Sequence, residues 1–104
     1  MLVAVDHVQL AAPPGCEDLL RAYYVDVLGM TEIPKPPALA GRGGCWFEAG
    51  AVRLHLGIER DFRPTRKAHP GLRVTGIEAY AARLEAGGAP VHRDGDLPGH
   101  RRFY

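Results

Sequence analysis

The segment Ala4-Val5-Asp6-His7-Val8-Gln9-Leu10, near the start of a 104-residue chain, gives the clearest indication of the fold. Val8 and Leu10 share one parity of this stretch, and His7 has the other. Side chains on a β-strand alternate between the two faces of a sheet, so this pattern predicts a strand with one apolar face. His7 is therefore expected to project from the face opposite the hydrophobic core.

Two further histidines lie in segments with the same alternation. His55 has a leucine on each side, and His69 opens a segment whose apolar residues have the opposite parity. Imidazoles gathered on one open sheet face are suited to hold a metal ion in a cavity. The alternative is that each is an ordinary surface or hydrogen-bonded histidine. His92 and His100 match no such pattern and are expected to be exposed to solvent.

Length and composition limit the class of protein. A chain of this length buries one modest core and is expected to form a single domain. The formal net charge of +1 gives no electrostatic reason to expect nucleic acid or an acidic membrane as a partner. No apolar run approaches the roughly 20 residues that span a bilayer. The N-terminus lacks the basic start of a signal peptide, so a cytoplasmic protein is expected. Cys16 and Cys45 are too few for a disulfide framework and are expected to be reduced thiols.

The first half of the chain has the pattern of a strand, a helix and three strands. The elements predicted there are a strand over 2–11, a helix over 17–28, a short strand over 30–34, a Pro- and Gly-rich loop over 36–44, and a hairpin of 45–49 with 51–59.

The second half repeats this order after a polar connector at 60–67. A strand over 69–74 precedes a helix that begins with a capping box of Thr75 and Glu78 and ends at Gly87-Gly88. Strands follow around 90–93 and 101–104. The repetition predicts an internal duplication in which His7 and His69 occupy corresponding positions.

Four segments together resemble one superfamily: Val5-Asp6-His7-Val8-Gln9-Leu10, Tyr23-Tyr24-Val25-Asp26-Val27-Leu28-Gly29-Met30, Leu54-His55-Leu56-Gly57-Ile58-Glu59 and Lys67-Ala68-His69-Pro70. They are similar to the glyoxalase, bleomycin-resistance and extradiol-dioxygenase superfamily, known as the vicinal oxygen chelate fold. The resemblance implies an α+β fold in which two βαβββ modules form a curved mixed sheet around a cavity. Module one would be residues 1–62 and module two residues 66–104, within a single domain 1–104.

The resemblance also implies a divalent metal ion, with Zn, Ni, Fe and Mn all open. His7 matches the ligand on the first strand of module one, His55 the ligand on its last strand, and His69 the ligand that opens module two. The family's remaining ligand is a glutamate on the last strand of module two, and this sequence ends at Tyr104 before such a strand. We therefore expect that the complete protein continues beyond Tyr104, or that this form is compromised in metal binding.

Other residues are candidates for contacting a substrate. One of Trp46 and Phe47 must face the cavity by alternation, and Phe62 lies in the connector. These aromatic residues could form a wall for a planar ligand, although core packing is the alternative. Arg53 shares the parity of His55 and could stabilise a substrate oxygen as a catalytic residue; an exposed salt bridge is the alternative.

The leading functional hypothesis is a metal-dependent enzyme, a lyase, isomerase or dioxygenase, acting on a small substrate that chelates the ion through adjacent oxygens. The alternative is an antibiotic- or ligand-binding protein of the bleomycin-resistance type, without catalysis, in which Trp46, Phe47 and Phe62 stack on the ligand. A catalytically silent relative is a third possibility. The apolar content and open sheet edges predict a homodimer.

Overall fold

Alternating apolar residues in four short segments build a mixed sheet in the computed structural model, which describes residues 1–104. The strands are β1 (Val8–Ala12), β2 (Thr31–Ile33), β3 (Cys45–Ala49) and β4 (Val52–Ile58), in the order β1-β4-β3-β2. β1 runs parallel to β4, whereas β3 is antiparallel to both of its neighbours. The βαβββ order predicted for the first module is confirmed.

The helix between β1 and β2 changes its winding halfway. It begins as α1 (Glu17–Arg21) and continues as a π-helical segment, Ala22–Val27, over the range predicted as one helix. Gly29 ends it with a φ of 81°, a conformation that glycine adopts without a steric penalty. A short helix α2 (Pro37–Ala40) lies within the segment predicted as a loop.

One face of the sheet carries the hydrophobic core. Phe47 is 0% exposed, and its ring stacks on Tyr24 with centroids 4.9 Å apart. Cys16 and Cys45 are both buried and unbridged, which confirms the prediction of reduced thiols. Burial, with Glu32 adding to it, raises the pKa of the Cys45 thiol to about 11, so it stays protonated. The helix packs against this face through Leu20, Tyr24, Val25 and Leu28.

The chain divides at Gly71 into two compact units, Met1–Gly71 and Leu72–Tyr104. The second unit contains α3 (Ile77–Ala86) and a hairpin of β5 (Arg93–Asp94) with β6 (Arg102–Phe103). The predicted end of the helix is confirmed, since Gly87 is its C-terminal cap. The predicted capping box is wrong: Gly76, with a φ of 60°, is the N-terminal cap, and the Glu78 carboxylate instead accepts hydrogen bonds from two arginines.

The strand predicted over 69–74 is not formed. A strand needs a hydrogen-bonding neighbour, and no segment of the chain pairs with these residues. In the first unit the corresponding strand, β1, obtains that neighbour from β4. His69 belongs to the first unit, whereas the residues that follow Gly71 belong to the second. No helix in the structure has the length and apolar character needed to cross a membrane.

Candidate functional site

The open face of the sheet brings His55 together with residues from both neighbouring strands. In the sheet register His55 lies between Gln9 of β1 and Trp46 of β3. His7 lies two residues before Gln9, directly before β1, and so reaches the same face. The prediction that His7 and His55 face away from the core is confirmed.

Three rings on this face form a continuous stack, called here the ring stack: Trp46, His55 and His7. The Trp46 and His55 rings are 3.9 Å apart between centroids and inclined by 5°. The His55 and His7 rings are 4.1 Å apart and inclined by 17°. His55 is the middle ring and is only 8% exposed, although it lies on the open face. Burial lowers the pKa of His55, the charges of His7 and Arg53 act in the same direction, and Asp6 opposes them.

A carboxylate orients the outermost imidazole of the ring stack. Asp6 Oδ2 lies 2.9 Å from His7 Nδ1, and Asp6 Oδ1 lies 3.6 Å from a guanidinium nitrogen of Arg53. The hydrogen bond from His7 lowers the pKa of Asp6, and the charge of Arg53 contributes. Because an ionised carboxylate only accepts hydrogen bonds, Nδ1 of His7 carries the proton and Nε2 of the neutral ring carries the lone pair. Arg53, predicted as an electrostatic helper, is paired with Asp6.

His69 is not part of the ring stack. It is exposed, and its Nδ1 is 2.8 Å from the carbonyl oxygen of Lys67. It lines a cavity of about 730 Å³ beside the outer edge of β1, together with Phe62 and Tyr24. Phe62 is thus at a cavity wall, but not at the ring stack. The structure contains no group of three His, Cys, Asp or Glu side chains placed to hold a metal ion.

The two adjacent aromatic residues of β3 face opposite ways. Trp46 is on the open face in the ring stack, whereas Phe47 is fully buried in the core. Phe47, predicted as a possible ligand contact, is therefore unavailable to a ligand, because the sheet separates its ring from the open face.

A smaller cavity of about 170 Å³ adjoins Trp46 on the open face, with Gln9, Lys35 and Arg42 in its wall. The Gln9 side chain lies over Gly57, where a Cβ would come within 2.6 Å of the amide nitrogen. Sequence reasoning missed these polar residues and the role of Asp6. Gln9 shares the parity of His7, and Asp6 directly precedes His7, so the sequence pattern could have indicated both residues. Lys35 and Arg42 come from a loop without periodicity, and no sequence signal marked them.

The sheet order, the parallel pairing of β1 with β4 and the histidines of the open face define a module of the vicinal oxygen chelate class. No protein-family model matches the sequence, and no curated protein does. Among solved structures, a glyoxalase family protein from Bacillus anthracis is 44% identical over 100% of this chain and 85% of its own, with a TM-score of 0.97. This chain therefore belongs to the glyoxalase family.

Two other solved structures extend the comparison. A glyoxalase family protein from Enterococcus faecalis is 25% identical over 94% of this chain and 84% of its own, with a TM-score of 0.58. The fosfomycin resistance protein FosX from Listeria monocytogenes, solved as an E126Q mutant with Mn(II) and 1S,2S-dihydroxypropylphosphonic acid, is 15% identical. It covers 100% of this chain and 82% of its own with a TM-score of 0.65, which shows a shared fold.

Proposed function

We propose that this protein is a divalent-metal-dependent enzyme whose small substrate chelates the ion through adjacent oxygens. His7 and His69 are its protein ligands, each through Nε2. The observation that carries this proposal is the contact between Asp6 and His7, because metal-binding histidines commonly donate their other ring nitrogen to a carboxylate or carbonyl oxygen. His69 has a similar contact with the Lys67 carbonyl. The shared fold with FosX, which binds Mn(II), adds support.

His7 and His69 fit a metal ion through the chemistry of their imidazole nitrogen donors. Neutral imidazoles suit Zn²⁺, Ni²⁺ and Fe²⁺, although the structure does not bring three such donors together. When bound, the ion would supply Lewis-acid stabilisation of a negatively charged substrate oxygen. Asp6 holds His7 in one tautomer and orientation, and the hydrogen bond from His7, with the charge of Arg53 adding to it, lowers the pKa of the Asp6 carboxylate. Trp46 offers an apolar surface beside Gln9, whose amide can donate to a substrate oxygen.

Metal binding tests this proposal most directly. The purified protein, stripped with a chelator, is titrated with Mn²⁺, Zn²⁺, Ni²⁺ and Fe²⁺ in a calorimeter. We expect one equivalent to bind, and His7→Ala and His69→Ala each to lower the affinity by at least about 100-fold. His100→Ala is the matched control, because its Nδ1 also lies near a carbonyl oxygen, 3.1 Å from that of Pro98, without matching a ligand position. Absence of binding by all four ions would refute the proposal.

A second function is favoured by the ring stack itself. His55 is covered on both faces, but the outer faces of the end rings, Trp46 and His7, could each hold a planar ligand by stacking without catalysis. The net charge of +1 gives such a site no general attraction for a cationic antibiotic. Tight binding of a planar ligand by chelator-treated protein, without turnover, would favour this function over the enzyme.

The predicted homodimer and cytoplasmic location stay predictions. Light scattering on the purified chain measures the first, with a mass near twice 11.3 kDa expected for the dimer.

A further inference from the structure

We infer that His55 is a positioning residue for His7 and does not bind the metal ion together with it. This inference rests on the proposed function, and it replaces the predicted role of His55 as a third ligand. It is carried by the geometry of the ring stack, in which His55 is held between Trp46 and His7.

The stacked geometry of the two imidazoles prevents them from sharing one ion. A nitrogen lone pair lies in the plane of its ring, so a bound ion must lie close to that plane. Van der Waals contact keeps two stacked rings roughly 3.5 Å apart. The 17° tilt between His7 and His55 closes this gap by only about 1 Å at the position of an ion bound to His7. Such an ion would lie about 2.5 Å from the plane of His55, which is more than the whole metal–nitrogen bond of about 2.1 Å.

The surroundings of His55 suit a residue that supports the His7 ring by stacking. Its ring is 8% exposed, and Trp46 covers its other face at 3.9 Å. His7, in contrast, precedes the first strand and is 42% exposed. Two contacts define the position of the His7 ring: Asp6 at its Nδ1 edge and His55 on its face. The flat contact limits rotation of the ring, and the carboxylate selects the tautomer, so together they direct Nε2 outward.

The experiment compares His55→Phe, His55→Ala and His7→Phe with the wild type in the full chain. Phenylalanine keeps a flat ring and removes the nitrogen donors, so it separates stacking from ligation. Zn²⁺ affinity is measured by calorimetry, and imidazole nitrogens are followed by long-range ¹H–¹⁵N NMR with and without Zn²⁺. We expect His55→Phe to bind Zn²⁺ within about threefold of the wild type, His55→Ala to lose about tenfold, and His7→Phe at least about 100-fold. In the wild type, Zn²⁺ should shift the His7 nitrogens strongly and leave His55 in its metal-free pattern.

A loss of affinity in His55→Phe as large as that in His7→Phe would overturn the inference, as would metal-dependent ¹⁵N shifts at both imidazoles. The NMR measurements on the metal-free protein do not depend on the proposed function. There the Nδ1-protonated tautomer of His7 should persist in His55→Phe and give way to mixed tautomers in His55→Ala. If His7 keeps one tautomer in His55→Ala, His55 does not position it. If the wild type binds no Zn²⁺ while this tautomer pattern holds, the proposed function fails and the positioning role stands.

Discussion

Alanine substitutions at Trp46 and Phe47 should have very different effects, although the two aromatic residues are neighbours in the chain. Phe47 is 0% exposed and stacks on Tyr24 in the core. Removing a buried phenyl ring destabilises a protein by about 3–5 kcal/mol, because transfer free energy is lost and a cavity remains. Trp46 is half-buried on the open face, and its stack on His55 contributes only about 1 kcal/mol beyond its buried area.

Urea unfolding followed by far-ultraviolet circular dichroism measures both variants, since Trp46 is the single tryptophan and cannot serve as a common fluorescence probe. With a slope of about 1.5 kcal/mol per molar, Phe47→Ala should lower the midpoint by about 2–3 M, and Trp46→Ala should lower it by less, because the Trp46 side chain is only half-buried. Phe47→Leu, expected to lower stability by about 1.5 kcal/mol, keeps the comparison measurable if the alanine variant is unfolded in water. Equal losses at the two positions, or a larger loss at Trp46, would refute the assignment of the two sheet faces.

Three further predictions concern a close backbone contact, the carboxylate beside His7, and the titration of the ring stack. Gly44→Ala should destabilise the protein by at least about 2 kcal/mol, because a Cβ there would overlap the Leu56 carbonyl oxygen. Gly15→Ala, at a similar positive φ but with no atom within 4 Å, is the control, and equal melting temperatures would contradict the contact. Asp6→Asn should weaken Zn²⁺ binding by about 10-fold or more in calorimetry, and an unchanged affinity would exclude an orienting role for the carboxylate. Folding lowers the pKa of His55 from its ordinary 6.5, so the unfolded chain binds more protons than the folded chain between the two pKa values. The contribution of neutral His55 to the free energy of unfolding is therefore complete above pH 6.5, and it is lost as the pH falls through the folded-state pKa. Urea unfolding of the wild type and His55→Phe across this range measures it, and identical pH profiles would contradict the shift.

The sequence predicts the sheet of the first unit well, because its two signals are local. The period-two alternation around His7 and His55 sets which face each side chain takes, and the glycines around the helix set where it ends. Alternation cannot decide between two adjacent aromatic residues, however, since either Trp46 or Phe47 satisfies the pattern. Only packing against the helix, through Tyr24, places Phe47 inside.

Two predictions are wrong for the same physical reason: they depend on interactions with distant parts of the chain, which a local sequence pattern does not reveal. The segment 69–74 alternates like a strand, yet a strand forms only beside another strand, and none pairs with it. Thr75 and Glu78 have the spacing of a capping box, but Glu78 pairs with Arg93 and Arg101 from the following hairpin. The ring stack was equally hidden, because strand parity gives the face of an imidazole and not the orientation of its ring.

The parallel pairing of β1 with β4 has a consequence for the order of folding. β3 and β4 join through a two-residue turn, and such hairpins form within about 1–10 μs. β1 must instead pair with β4 over a long separation in the sequence, since Val8 pairs with Leu54. Such non-local parallel pairings form slowly. We therefore expect Trp46 and His55 to stack before His7 joins them, because His7 reaches the ring stack only when β1 docks. The contact between the two imidazoles is thus among the last to form, and its ring-current signature would report when folding of this unit is complete.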